Sequence, residues 1–298
     1  MAQAAPSRSP RLDAEALARL STLKLRVERV VDGVLAGLHR SPHHGASIEF
    51  AEHKEYSPGD DLRRLDWKAL AKFDRHYIRR YEDETELAAY LLLDTSGSMG
   101  FGAPLSKLDV GAILVAALAF LLARQRDQAA LLAFSDRVAT YVPPRARANH
   151  LASLLVELET LPPTGQTRIA AAVDRLLEVV RRRSLVVIVS DLFEAEERTL
   201  PLLRQLRSRG HQVVVLQLLH ADELSFPFSR VSIFTSLEDD QELLADPAGV
   251  RAAYLRELAA FCARVEAGCR EGRVRYQRVS TADPLDRTLV RLLERRLD

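Results

Sequence analysis

The 298-residue sequence contains only two cysteines, and their scarcity limits the chemistry available to the protein. Cys262 and Cys269 lie in a stretch with helical periodicity, which would place them roughly 10 Å apart, too far for a disulfide. No CxxC pair or cysteine–histidine cluster indicates a zinc site. A low cysteine count is compatible with a reducing compartment, and we expect a cytoplasmic protein.

Long apolar segments and an excess of one charge are also missing. The most apolar run, Val110–Ala123, has 14 residues, whereas a membrane-spanning helix needs about 20. This run therefore predicts a buried core helix. The first residues lack the apolar core of a signal peptide, and their content of Ala, Ser and Pro predicts a disordered tail over residues 1–11. The net charge of +1 gives no support to a general nucleic-acid binder. We expect neither a membrane span nor a nucleic-acid partner.

What the sequence does contain, from residue 87 onward, is a regular alternation of apolar strands and amphipathic helices. This alternation predicts an α/β fold with a doubly wound, mostly parallel sheet flanked by helices. We expect a core domain over residues 87–220 and a C-terminal part over 221–298 that packs on it. Residues 12–86, a helix followed by an irregular and charge-rich segment, are predicted to form an N-terminal extension.

The stretch that organises the core is residues 87–100, LAAYLLLDTSGSMG. An apolar strand ends in Asp94, and a turn with two serines, Ser96 and Ser98, follows at once. Carboxylate and hydroxyl oxygens are hard ligands that suit Mg²⁺ or Mn²⁺ and not zinc or copper. On its own, however, the stretch is equally consistent with a cap of the turn and the next helix.

Two further residues are predicted to lie at the same edge of the sheet. Asp191 directly follows a second buried strand, and Thr167 closes a loop just before a helix. The carboxyl ends of parallel strands form the ligand-binding edge of open α/β sheets, so these side chains should meet Asp94 there. Thr164, three residues before Thr167, is an alternative threonine for this place. A metal-free network of hydrogen-bonded caps remains the alternative to a metal site.

The pattern Asp94-x-Ser96-x-Ser98, followed by Thr167 and then Asp191, resembles the metal-ion-dependent adhesion site of von Willebrand factor type A domains. An upstream block resembles the signature of the domain-of-unknown-function 58 family, whose members are von Willebrand A-like and often associated with MoxR-type AAA+ ATPases. The block consists of Glu49-Phe50, Tyr56-Ser57-Pro58-Gly59-Asp60-Asp61, Arg63-x-x-Asp66-Trp67 and Arg79-x-Tyr81.

The resemblance implies a non-enzymatic binding module. In such sites the serine and threonine hydroxyls ligate Mg²⁺ or Mn²⁺ directly, one or both aspartates often act through water, and a partner's Asp or Glu fills an open position. The resemblance further implies a MoxR-type ATPase, or its client, as the partner in chaperone-like maturation or assembly. An interaction scaffold that uses the Trp67 region without metal is the alternative.

Enzymatic readings of the same stretch find less support. The nucleophile-elbow pattern G-x-S-x-G fails around Ser98, because Ser96 occupies the position of the first glycine. A triad would also need a histidine, and only His220 is expected near this edge. A serine hydrolase based on Ser98 is therefore the less favoured alternative. No GxxxxGK[ST] motif occurs, so the chain is not predicted to be an ATPase itself.

Overall fold

The structure is a computed structural model that describes residues 22–40, 53–55, 77–79, 88–194, 196–239 and 241–294. The predicted tail at 1–11, the Trp67 region and most of the upstream signature lie outside the described residues. Packing divides the chain into two units. The smaller one, 38–86, contains an antiparallel pair of short strands, β1 (His53–Glu55) and β2 (Tyr77–Arg79), with His53 opposite Arg79. The larger one contains the first helix up to Gly37 and residues 87–298.

The larger unit is built on a six-stranded sheet in the order β10-β7-β6-β3-β4-β5. Five strands are parallel, and only the edge strand β5 runs antiparallel to its neighbour β4. The strands are β3 (Ala88–Asp94), β4 (Gln128–Phe134), β5 (Val138–Arg145), β6 (Leu185–Ser190), β7 (Gln212–Leu219) and β10 (Arg275–Ser280). This confirms the predicted doubly wound, mostly parallel sheet.

Helices cover both faces of the sheet. The helices of the described residues are α1 (Leu23–Arg40), α2 (Lys107–Arg124), α3 (Ala148–Thr160), α4 (Ile169–Val179), α5 (Glu196–Ser208), α6 (Ala221–Ser225), α7 (Pro247–Glu271) and α8 (Leu285–Glu294). Side chains of α4, α5 and α7 pack on one face of the sheet, where Leu92 and Ile188 lie. The helix α2 packs on the other face, so closely that a Cβ on Gly111 would lie 2.8 Å from Leu93 Cδ1.

The helix α2 shows why the local sequence folds as it does. Ser106 is its N-cap: the Ser106 hydroxyl accepts from the Asp109 amide, and the Asp109 carboxylate accepts from the Ser106 amide, as the sequence predicts. Most of its side chains are buried, in keeping with the predicted core helix. Among the described residues, no helix has the length and apolar character that crossing a bilayer requires.

Three local features go beyond the sequence analysis. Pro143 and Pro144 lie within β5 at a shift in its register against β4, because an irregular edge strand tolerates residues without an amide donor. The strand β8 (Ser232–Thr235) pairs antiparallel with β9 (Glu242–Ala245) to form a hairpin. The short helix α6 follows β7 directly. Cys262 and Cys269 are both free and buried, as expected.

Candidate functional site

Asp94 lies at the carboxyl end of β3 with no solvent exposure. Its carboxylate is held from two sides: Oδ1 accepts from the Ser96 amide at 2.9 Å, and Oδ2 accepts from Ser190 Oγ at 2.5 Å. Burial raises the pKa of Asp94 to about 7; the nearby charge of Asp191 adds to the rise, and the hydrogen bonds from Ser190 and Ser96 oppose it. The donors that the described residues provide to Asp94 are neutral, so none of them supplies the cation that would stabilise its charge.

Three hydroxyls gather beside this carboxylate. Ser96 Oγ lies 3.2 Å from Ser98 Oγ and 2.9 Å from Thr167 Oγ1. In an octahedral Mg²⁺ shell with metal–oxygen bonds of 2.0–2.1 Å, neighbouring ligand oxygens are about 2.9 Å apart. The spacing of these hydroxyls therefore fits the ligand shell of a small divalent cation. The ligand chemistry fits as well, because every potential metal ligand among these side chains is a hard oxygen.

The loop before α4 places the two candidate threonines in different environments. Its backbone is fastened to the Asp94 turn by two hydrogen bonds, from the Thr164 amide to the Thr95 carbonyl and from the Gly97 amide to the Gly165 carbonyl, both 2.8 Å. This docking buries Thr167 beside Ser96, whereas Thr164 is exposed and contributes its backbone. Of the two threonines, the structure brings Thr167 to the hydroxyl cluster.

Asp191 has a different environment, although it is equally buried beyond the end of the adjacent strand β6. Its Oδ2 accepts from Lys107 Nζ at 2.7 Å, and its Oδ1 accepts from the Phe193 amide at 3.2 Å. Lys107 also donates to Glu223 Oε1 at 2.7 Å, and its side chain is fully buried. Asp191, unlike Asp94, thus already has a cation within the chain. This ion pair favours a role through water or through charge for Asp191, rather than a direct metal bond.

The state of Lys107 follows from two opposing effects. Burial alone would lower the pKa of Lys107, but the charges of Asp191 and Glu223 and their hydrogen bonds outweigh it, so the pKa is raised. Lys107 therefore stays charged, and its ammonium group also lies 4.9 Å from the centre of the Phe193 ring. A buried lysine of this kind needs its acidic partners, because an isolated ammonium would be strongly destabilised.

A further carboxylate reaches the hydroxyl cluster from the hairpin. Glu238, in the turn between β8 and β9, accepts a hydrogen bond from Thr167 Oγ1, with 3.1 Å between Thr167 Oγ1 and Glu238 Oε1. A cavity of about 300 Å³ adjoins this contact. Its lining consists of Ser98, Phe101, Gln166, Phe193, Glu223 and residues 236–239. The hydroxyl cluster thus borders a space large enough for an acidic side chain of another molecule.

Comparison with known proteins places the chain among its relatives. The model of a family described as "Protein of unknown function DUF58" matches residues 52–263. The chain belongs to this family. Rv1480 of Mycobacterium tuberculosis (strain H37Rv) and Mb1516 of Mycobacterium bovis are each 32% identical to it over 266 residues, which cover 86% of this chain and 83% of theirs. The predicted family resemblance is confirmed.

Solved structures with a similar architecture come from more distant proteins. An aerotolerance-related membrane protein from Bacteroides fragilis matches with a TM-score of 0.48 at 19% identity, over 69% of this chain and 97% of that one. BatB from Bacteroides thetaiotaomicron matches with a TM-score of 0.46 at 14% identity, over 70% and 97%. Both scores are below 0.5, so the family assignment rests on the sequence matches.

In this DUF58 chain, four residues of the site escaped the sequence analysis: Lys107, Ser190, Glu223 and Glu238. Lys107 had no clear signal, because a lysine beside a helix cap is usually exposed. Ser190, the last residue before Asp191, faces Asp94 across the sheet and had no signal of its own. Among the described residues, no three acidic, histidine or cysteine side chains converge on one point. The candidate site therefore depends on its hydroxyls.

Proposed function

We propose that this DUF58 chain is a non-enzymatic, metal-dependent protein-binding module. The side chains that would hold Mg²⁺ or Mn²⁺ are Asp94, Ser96, Ser98 and Thr167, with Asp191 acting from the adjacent strand end. The bound ion would supply a positive, electrophilic centre for a carboxylate of the partner. In this proposal the recognised group is an Asp or Glu side chain on another protein.

The observation that carries the proposal is the environment of Asp94. Oxygen atoms that could bind a metal surround this residue, but no described side chain contributes a positive charge to it. Asp94 is fully buried, and the nearby Ser96 hydroxyl lies 3.2 Å from that of Ser98 and 2.9 Å from that of Thr167. Among the described residues, the hydrogen-bond donors to Asp94 are an amide and a hydroxyl, neither of which carries a charge. Because a buried anion is costly without a cation, the arrangement favours binding of a positive ion. Few anionic ligands would keep that ion attractive to a further carboxylate.

The residues around the site have different roles in this proposal. Ser190 and the Ser96 amide orient the Asp94 carboxylate, and the Thr164 and Gly97 backbone contacts fix the position of the Thr167 hydroxyl. Lys107 neutralises Asp191, so that the site presents less negative charge to an approaching acid. The adjoining cavity gives that acid access to Ser98.

The partner proposed is a MoxR-type AAA+ ATPase or its client, in chaperone-like maturation or assembly. This part rests on the family to which the chain belongs and on the acidic chemistry that the site would recognise. A pull-down with such an ATPase should succeed in Mg²⁺ and fail for Asp94→Ala, while a Trp67→Ala chain still binds. Binding that survives Asp94→Ala but is lost in Trp67→Ala would instead favour the metal-free scaffold.

Thermal unfolding tests the metal site directly. At a metal concentration near 100 times Kd, binding to the folded state adds about 2.7 kcal/mol, or about 5–10 °C in Tm for a domain of this size. We expect this rise for Mg²⁺ and Mn²⁺ with the unaltered chain and none with Asp94→Ala. Asp174→Ala, which removes an exposed carboxylate on α4, should keep the full shift. Equal shifts in both variants would contradict the proposed site.

A further inference from the structure

The turn of the β8–β9 hairpin lies directly on the Asp94 turn. A Cβ added to Gly97 would lie 1.8 Å from the Leu237 carbonyl oxygen, so the contact exists only because residue 97 is a glycine. The next residue, Glu238, reaches Thr167 Oγ1 with its carboxylate. The Leu237 backbone and the Glu238 side chain thus both contact the candidate metal site.

The hairpin is anchored away from this contact. Phe234 of β8 stacks at 5.9 Å on Phe226, which in turn packs at 4.7 Å against Tyr254 of α7. The turn itself is closed by the Ser236 amide, which donates to the Gln241 carbonyl at 2.9 Å. The base of the hairpin is therefore fixed by aromatic packing, and its turn presents residues 237 and 238 to the site as a formed structure.

Leu237 and Glu238 differ in what they contact. Leu237 is 53% exposed, whereas Glu238 is half-buried and its carboxylate accepts a hydrogen bond from a hydroxyl. An ionised carboxylate can accept several hydrogen bonds, so one neutral donor leaves most of its acceptor capacity unused. Among the described residues, Glu238 has no lysine or arginine partner, and the Asp94 carboxylate lies in the same cluster. The position suits a carboxylate that shares a cation with Asp94.

We propose that Glu238 is an internal ligand of this site, occupying the place that the partner's carboxylate takes. The inference rests on the proposed metal-binding function. A tethered carboxylate competes at the high effective concentration set by its short connection, so it protects the site from weak acidic ligands. A partner binds only to the fraction of molecules in which the turn has lifted, and its apparent affinity falls by that fraction.

The test uses Mn²⁺ as the probe and the full chain. Metal binding is measured by calorimetry, and amide hydrogen exchange is followed over residues 236–245. In the unaltered chain, Mn²⁺ should slow exchange in the turn about tenfold, because the closed turn gains a charge-assisted contact. In Glu238→Gln, Mn²⁺ should still bind, several-fold more weakly, and the slowing should be lost. Glu242→Gln removes an exposed carboxylate from the same hairpin and should behave like the unaltered chain.

Gly97→Ala provides a second test that keeps the Glu238 carboxylate. Because an alanine Cβ cannot coexist with the Leu237 carbonyl, the turn must move away, and Mn²⁺ should no longer slow its exchange. Mn²⁺ that binds normally but leaves turn exchange identical in Glu238→Gln and Glu242→Gln would overturn the internal ligand alone. Absence of Mn²⁺ binding in every chain would instead overturn the proposed function, and the internal ligand with it.

Discussion

Asp94 and Asp191 lie at the ends of adjacent parallel strands and are both fully buried, yet their partners differ. Asp191 shares a buried ion pair with Lys107, which also holds Glu223. In the part of the chain that the structure describes, Asp94 accepts hydrogen bonds from neutral groups alone, Ser190 and the Ser96 amide. Two aspartates at the same sheet edge therefore differ: Asp191 has a cation partner, and Asp94 has none among these residues.

The difference assigns different roles to the two residues. A buried charge whose counter-ion is built into the fold contributes to the structure, and losing either member leaves the other uncompensated. A buried charge without a counter-ion is costly to the folded chain, and this cost is removed when a cation binds. We therefore infer that Asp191 supports the site and Asp94 receives the ligand. Three sets of substitutions test the site, in order of decreasing expected effect.

Removal of Lys107 should have the largest effect. Lys107→Met keeps most of the side-chain volume but leaves Asp191 buried without its cation, which should lower the free energy of unfolding by about 3–5 kcal/mol. Denaturant unfolding in metal-free buffer measures this loss. Because Asp191 is the group left uncompensated, the double variant Lys107→Met/Asp191→Asn should recover part of the stability. If Lys107→Met lowered the free energy of unfolding by less than about 1 kcal/mol, the ion pair would not stabilise the fold, and the proposed contrast with Asp94 would fail.

Neutralising the two aspartates should affect different properties: the stability of the metal-free chain for Asp191, and the stabilisation by metal for Asp94. Asp191→Asn leaves Lys107 with only Glu223 and should cost about 1–3 kcal/mol with or without metal. Asp94→Asn removes a charge that lacks a cation, so the metal-free chain should change by no more than about 1 kcal/mol. Its stabilisation by Mg²⁺ should nevertheless vanish. Calorimetric unfolding of both variants with and without Mg²⁺ gives the four values. Equal metal-free losses would remove the distinction between the two residues.

Much of this architecture was predictable from the sequence because it depends on local patterns. Apolar runs ending in Asp94 and Asp191 predicted two strand ends at the same edge of the sheet, and the cap Ser106 with Asp109 predicted the start of α2. The parallel edge then followed from the alternation of strands and helices. The order of the strands, with β3 between β4 and β6, brings these two ends together as expected.

The remaining features depend on contacts between distant segments, which local patterns do not encode. Lys107 and Asp191 are 84 positions apart, and Thr167 and Glu238 are 71 apart. Glu238 lies in a polar turn whose strands, β8 and β9, are short and largely exposed, so neither periodicity nor burial pointed to it.

The smallest expected effect concerns the hydroxyl that contacts both Ser96 and Glu238. Thr167→Val replaces a hydroxyl by a methyl group of similar size, so the site loses one neutral oxygen. The free energy of unfolding should fall by only about 1 kcal/mol. We expect Mn²⁺ to bind roughly tenfold more weakly, as measured by calorimetry.

Thr164→Val makes the same chemical change three residues earlier, in a residue that contributes its backbone amide and not its hydroxyl to the loop. This matched variant should bind Mn²⁺ like the unaltered chain. If the two variants weakened binding equally, the effect would come from the loop as a whole and not from a ligand oxygen. Weakening by Thr164→Val alone would move the threonine ligand to position 164 and separate Glu238 from the metal, since its contact is with Thr167.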